Sequence, residues 1–235
     1  MKTKSFTALG IVTLVLLSYG LYVALVATPT EATMGPIQRI FYYHLPSAIL
    51  AFVFFFANFI ASIWYLAKRN LKADAVAVAT AEIGVVFCTV VLITGPLWAK
   101  PVWGVWWVWD ARLTSTLILW LIYMSYLILR RFSTGGQTPV LAAALAIFGF
   151  VDVPLVYVSN RIFRTQHPQP VIGGSEGSGL DPSMWPGIWW NIAAFACFAV
   201  MLLVIRYRLE VSRHQLEEAI TSSAQAEGEK AKVLR

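Results

Sequence analysis

The sequence predicts an all-α integral membrane protein: a bundle of six transmembrane helices with a tryptophan-rich loop on its outer face. Three observations carry this. The 235 residues are 58% hydrophobic and only 13% charged, where a soluble domain carries about a quarter charged residues. Six apolar stretches reach the roughly 20 residues needed to cross a bilayer. Cations are concentrated in alternate connections, as membrane insertion requires.

The predicted spans run at about 6–27, 46–67, 77–97, 113–130, 140–159 and 187–206, and form one domain, residues 1–206. Residues 207–235 form a polar tail, predicted as a short surface helix from Leu209 to Ile220 and a disordered end. The first span follows Lys2 and Lys4 and resembles a signal peptide. Its apolar run is longer than a typical signal core, and Pro29 follows it, so it is read as a retained helix. With the N-terminus inside, 13 of the 18 cations lie on the inner side: Lys2, Lys4, Lys68, Arg69, Lys72, Arg130, Arg131, Arg206, Arg208, Arg213, Lys230, Lys232 and Arg235. Both termini are then cytoplasmic. The outer segments are 28–45, 98–112 and 160–186, and hold Arg39, Lys100, Arg112, Arg161 and Arg164.

Five of the chain's ten tryptophans fall between residues 98 and 109: Trp98, Trp103, Trp106, Trp107 and Trp109. An interfacial aromatic belt uses one or two rings per span end. Placed on a helix, Trp103, Trp106, Trp107 and Asp110 share one face. Such a face is a flat apolar platform edged with indole N–H donors. It suits a planar ligand that is apolar at its centre and anionic at one rim, with Arg112 and Lys100 as cations for that rim. Asp110 has three open roles: capping the next helix, starting a turn, or holding Arg112.

Of three histidines, His214 is read as a solvated residue of the tail. His44 sits at the outer mouth of the second span and His167 just beyond the fifth, so both flank the tryptophan loop. A histidine at a membrane boundary is usually structural or solvated; two on one side of such a platform point to axial ligation of haem iron. Arg161 and Arg164 share one helical face, either as a solvated pair or as a clamp for carboxylates. Asp152 and Glu82 lie inside apolar runs, where a carboxylate is costly and marks a candidate functional group. Glu82 is close enough to the inner boundary to reach water, and Pro154 is expected to kink the fifth helix beside Asp152. Cys88 and Cys197 read as small core residues. No ATP-binding loop, zinc motif or disulfide framework is visible.

The stretch Trp103-Gly104-Val105-Trp106-Trp107-Val108-Trp109-Asp110-Ala111-Arg112-Leu113-Thr114 resembles the signature of the tryptophan-rich (WWD) haem-handling family of cytochrome c assembly. The segments Phe41-Tyr42-Tyr43-His44-Leu45-Pro46 and Arg164-Thr165-Gln166-His167 resemble that family's two outer histidine motifs, with Gln166 where an apolar residue is expected. Six spans and the short length are similar to its haem exporter C (CcmC) group, over nearly the whole chain up to about residue 207. The resemblance implies a haem-binding, haem-transferring subunit in a bacterial inner membrane, not an enzyme. Its site is periplasmic, for haem b (iron protoporphyrin IX). His44 and His167 match the axial positions; Trp103, Trp106, Trp107, Trp109 and Asp110 match the tryptophan-rich contacts. Beside this resemblance, Arg112, and after it Arg161 or Arg164, is read as facing the propionates. The implied partners are a periplasmic haem chaperone, the ATPase and membrane subunits of an ABC transporter, a small single-span subunit and the lipid bilayer; no nucleic acid is expected. The rivals are a cytochrome c haem lyase or synthase, which has more spans; a membrane b-type haem redox protein, with histidines inside its spans; and a transporter centred on Asp152.

Overall fold

Why the chain folds as it does follows from where its backbone polar groups can be satisfied. In a bilayer only a helix bonds every N–H and C=O within itself, and the structure, a computed structural model, is helical through each predicted span. It describes residues 3–133, 135–172 and 179–233, and the side chains of 228–233 are not described. The helices are α1 (Thr3–Tyr22), α2 (Phe41–Lys68), α3 (Leu71–Trp103), α4 (Ala111–Phe132), α5 (Thr138–Phe150), α6 (Asp152–Ile162) and α7 (Trp185–Val233). Among the described residues, six helical segments are long and apolar enough to cross a membrane, with α5 and α6 together forming the fifth.

Short connections make neighbours antiparallel. Arg69 adopts a left-handed conformation that ends α2, and the Asn70 side chain accepts from the N–H groups of Lys72 and Ala73 to start α3. The α2–α3 hairpin is the centre of the bundle. Phe55 stacks on Tyr123 of α4 with ring centres 3.9 Å apart. A side chain at Gly84 would meet that phenylalanine at 2.5 Å, so only glycine lets α3 lie so close. Around this pair Leu50, Phe54, Ile83, Phe87, Leu119, Tyr126 and Val156 complete the core. α1 packs on α7, where the Asn191 amide donates to the Gly20 carbonyl at 3.1 Å, and turns Leu14, Val15 and Val26 outward, as lipid-facing residues do.

Both ends of the bundle are built by polar contacts. At the end away from His44, Arg130 of α4 grips Asp74 of α3 through two hydrogen bonds, 2.9 and 2.6 Å. Glu210 and His214 of α7 close over this pair, with His214 Nε2 3.3 Å from Asp74 Oδ2. His214 is 8% exposed. The expectation of a solvated histidine is therefore corrected: its partners come from residues 74 and 210, and burial follows from that pairing. Glu82 does not reach out to water alone but pairs with Arg206, whose Nη2 lies 2.6 Å from Glu82 Oε1. The tail is corrected too, because α7 continues unbroken to Val233. Lys2, Arg235 and the last residues of the expected disordered end lie outside the described residues.

The fifth span breaks at Val151. Pro154 has no N–H to offer the carbonyl four residues back, and Asp152 opens the new helix with its buried Oδ2 unpartnered among the described residues.

Candidate functional site

His44 and His167 face each other at one end of the bundle, with ring centres 6.4 Å apart and planes inclined by 34°. They arrive on different scaffolds. A 3-10 turn, Pro36–Ile40, feeds directly into α2, so His44 belongs to the first turns of a helix and not to a loop. Arg39 anchors that turn by donating to the Ala24 carbonyl at 2.6 Å and the Thr28 carbonyl at 3.2 Å, at the π-helical end of α1, Val23–Ala27. His44 Nδ1 then lies 2.8 Å from Thr94 Oγ1 of α3, and Trp98 meets the imidazole edge-on at 6.0 Å.

His167 is carried by the irregular segment after α6. Its Nδ1 is 2.8 Å from the Pro168 carbonyl. A carbonyl only accepts, so Nδ1 carries the proton and Nε2 is bare. The same carbonyl accepts from the Asn160 side chain at 3.0 Å, and Gln169 donates to the Asn160 main-chain oxygen at 2.8 Å. Burial, with the Arg112 charge adding to it, pulls the His167 imidazole down to about 4, which keeps it neutral at ordinary pH.

The tryptophan segment is not a continuous helix. Gly104 takes a positive φ of 78°, Trp103 is the last residue of α3, and residues 104–110 are irregular. The helical face expected to join Trp103, Trp106, Trp107 and Asp110 is therefore absent. Trp103 and Trp107 line a cavity beside the histidines, while Trp106 and Trp109 are 56% and 77% exposed and lie outside it. Lys100 Nζ donates to the Gly104 carbonyl at 2.8 Å, closing the helix end instead of serving the cavity.

Asp110 holds two segments together. One carboxylate oxygen accepts from Leu113 N–H at 2.9 Å and caps α4; the other accepts from Gln166 N–H at 2.9 Å. The residue before His167 is thus tied to the tryptophan segment. Of the three roles left open by the sequence, the structure supports capping, and it adds the tie. Arg112 lines the cavity and sends Nη1 to the carbonyls of Val156 and Tyr157 and to Asn160 Oδ1, at 3.0, 3.3 and 3.2 Å. It thereby adds a donor to two carbonyls within α6 and supports Asn160, whose amide holds the Pro168 carbonyl beside His167. Arg161 and Arg164 are exposed and do not line the cavity; Arg161 stacks over the Tyr157 ring at 4.5 Å.

The cavity has a volume of about 970 Å³, at the upper end of the usual range for small-molecule sites, roughly 300–1,000 Å³. Its floor is apolar, with Phe52, Cys88, Leu92 and Leu119. The indole N–H groups of Trp98 and Trp107 are buried with no partner among the described residues, as is Gln38 Oε1, and all three residues line the cavity. Orphaned buried donors in a native site call for an acceptor. Two facing imidazoles, two unpaired indole donors and one guanidinium fit a large planar ligand with a metal at its centre and acceptor groups at its edge. Gln38 and Asn160 were not singled out from the sequence, Trp98 was counted only among the clustered tryptophans, and Thr94 was not taken as a site residue. Trp98 stood within the motif's reach, but the other three carry no local signal; their place depends on how α2, α3 and α6 register.

Six spanning-length helices with a paired-imidazole, indole-walled cavity at one end define a multi-pass membrane protein with a candidate ligand site. The family model described as Heme exporter protein C matches residues 1–222. The Heme exporter protein C of Bradyrhizobium diazoefficiens is 34% identical over 209 residues, covering 88% of this chain and 79% of the relative. That of Escherichia coli K12 is 34% identical over 210 residues, covering 85% and 81%. A putative cytochrome c biosynthesis ccmC-like mitochondrial protein of Arabidopsis thaliana is 31% identical over 229 residues, covering 96% and 86%. The chain belongs to the Heme exporter protein C family.

Proposed function

We propose that this protein handles haem for cytochrome c maturation: it holds iron protoporphyrin IX in the cavity between His44 and His167, at the periplasmic face of a bacterial inner membrane. It then presents the haem to a periplasmic haem chaperone as a non-enzymatic subunit of an ABC-type complex. The names of the family and its relatives support the haem-handling role. The excess of cations on the opposite side supports the periplasmic placement.

The observation that carries the reading is the spacing of the two histidines. A metal–imidazole nitrogen bond is about 2 Å and the ring centre lies about 1 Å further on, so two axial imidazoles have ring centres roughly 6 Å apart. The 6.4 Å seen here suits that arrangement. Haem supplies an iron with two axial positions for neutral nitrogen ligands. The chain's own residues do the rest. His44 and His167 hold the metal from two sides, Trp103 and Trp107 wall the cavity, and the Trp98 and Trp107 N–H groups and Arg112 receive acceptor groups of the ligand. One ligand sits on a helix and the other on a loop held by side-chain contacts. Capture with later release is then possible through movement of the His167 segment alone.

The test is the pair of variants His44→Ala and His167→Ala. Each is expected to insert normally, to lose most of its bound haem and to block formation of c-type cytochromes. Wild-type cytochrome c levels in both variants would reject the ligand assignment.

A further inference from the structure

We infer that Thr94 is a positioning residue for haem: its hydroxyl holds His44 in the one tautomer that leaves Nε2 free to bind iron. The inference rests on the proposed function, in which His44 is a ligand, and adds a residue and a mechanism to it.

A threonine hydroxyl has a single hydrogen to donate. In α3 that hydrogen goes to the Val90 carbonyl at 2.6 Å, one turn back along the helix. The hydroxyl therefore faces His44 as an acceptor only, and the 2.8 Å contact to His44 Nδ1 must be an N–H donated by the ring. A neutral imidazole carries one N–H, so Nε2 holds a bare lone pair. The Val90 carbonyl, by fixing the hydroxyl, sets the chemistry of a nitrogen on another helix.

The rest of the seat packs against the ring. The nearest heavy atom to a side chain built at Gly95 would be His44 Cε1, at 3.7 Å, so the ring edge lies over the glycine. Trp98 stands edge-on to the ring, with planes inclined by 71°. Thr94, Gly95 and Trp98 thus form a continuous seat on α3. The Pro168 carbonyl imposes the same tautomer on His167, so the two imidazoles present the same kind of nitrogen. Only at His44 is the orienting group a side chain, and so only there can it be removed by substitution. Outer-shell partners of this kind orient metal-binding histidines, and their loss typically costs about 10–100-fold in affinity.

The full-length protein in detergent provides two readouts. The first needs no haem. The chain has three histidines, so ¹⁵N-histidine labelling, assigned with His44→Ala, reports the His44 tautomer directly. The wild type and Thr94→Ser are expected to carry the proton on Nδ1; Thr94→Val, which keeps the shape and removes the acceptor, is expected to lose that preference. The second readout is titration with iron protoporphyrin IX. Thr94→Val should bind roughly 10–100-fold more weakly and lose its six-coordinate spectrum, with Thr94→Ser restoring both. Thr94→Ala removes the same acceptor and is read in the same way should the valine variant fail to accumulate. A wild-type His44 protonated on Nε2, or a Thr94→Val protein that binds haem as the wild type does, overturns the inference. If His44→Ala abolishes binding while Thr94→Val does not, the ligand reading stands and the Thr94 role falls. If His44→Ala binds haem normally, both fall.

Discussion

His167 illustrates how a single residue is set by its surroundings. An exposed histidine takes up its proton near 6.5, but here burial and the Arg112 charge lower that to about 4. The docked segment therefore excludes a proton that the undocked segment accepts. Acid favours undocking progressively as pH falls from 6.5 to 4, and neutral pH favours the docked, ligating ring. Haem occupancy is accordingly expected to hold through pH 6.5 and to fall as pH approaches 4, measured by equilibrium dialysis against haem. A loss centred near 6.5 would contradict the burial of this ring. At the same scale, Trp98 and Trp107 differ from Trp106 and Trp109 by one fact: the first pair buries an indole N–H without a partner inside the cavity, and the second pair faces outward.

Among the elements, the spans were legible because an apolar run of about 20 residues leaves a chain little choice but a helix across the bilayer. Their ends were less so. The third span was expected to end at about residue 97, yet α3 runs through Pro96 and Pro101, each of which removes one N–H from the ladder, and continues to Trp103, with Gly104 in the left-handed conformation after it. That difference in one boundary turned an expected tryptophan face into a helix end followed by an irregular segment. The polar tail read as unstable on its own; Glu210 and His214 hold α7 to Asp74 and Arg130, partners 56 residues apart from each other in the chain. Asp110 offers the test at this scale. Asp110→Asn keeps an oxygen to accept from Leu113 N–H and so keeps the α4 cap, but its amide nitrogen cannot accept from Gln166 N–H. The variant should insert normally and bind haem about tenfold more weakly, as loss of an outer-shell contact does. Asp110→Ala should show the same defect together with about 1 kcal/mol of lost stability, the usual cost of a missing cap. Wild-type haem affinity in Asp110→Asn would show that the tie to Gln166 is dispensable.

The whole molecule is a scaffold that brings together three segments far apart in sequence. α2 carries His44, α3 carries Thr94, Trp98 and Trp103, and the segment after α6 carries His167. The opposite end is clamped by Asp74, Arg130, Glu210 and His214, which fix the far ends of α3 and α4 to α7. The candidate residues His44, His167, Trp103, Trp107 and Arg112 stood out because tryptophans, two histidines and an arginine crowd the same outer segments, more than an aromatic belt needs. Thr94 and Asn160 were not, because a threonine or asparagine in a helix is common and gains meaning only from its neighbour. The scaffold's proposed purpose is to bring two imidazoles from different elements onto one iron. The most direct measurement of this is the visible and electron paramagnetic resonance spectrum of the detergent-purified protein loaded with ferric haem. A six-coordinate, low-spin signal that disappears when either His44 or His167 is replaced by alanine is the predicted result. A five-coordinate, high-spin spectrum in the wild type, or a low-spin signal that survives both replacements, would contradict it.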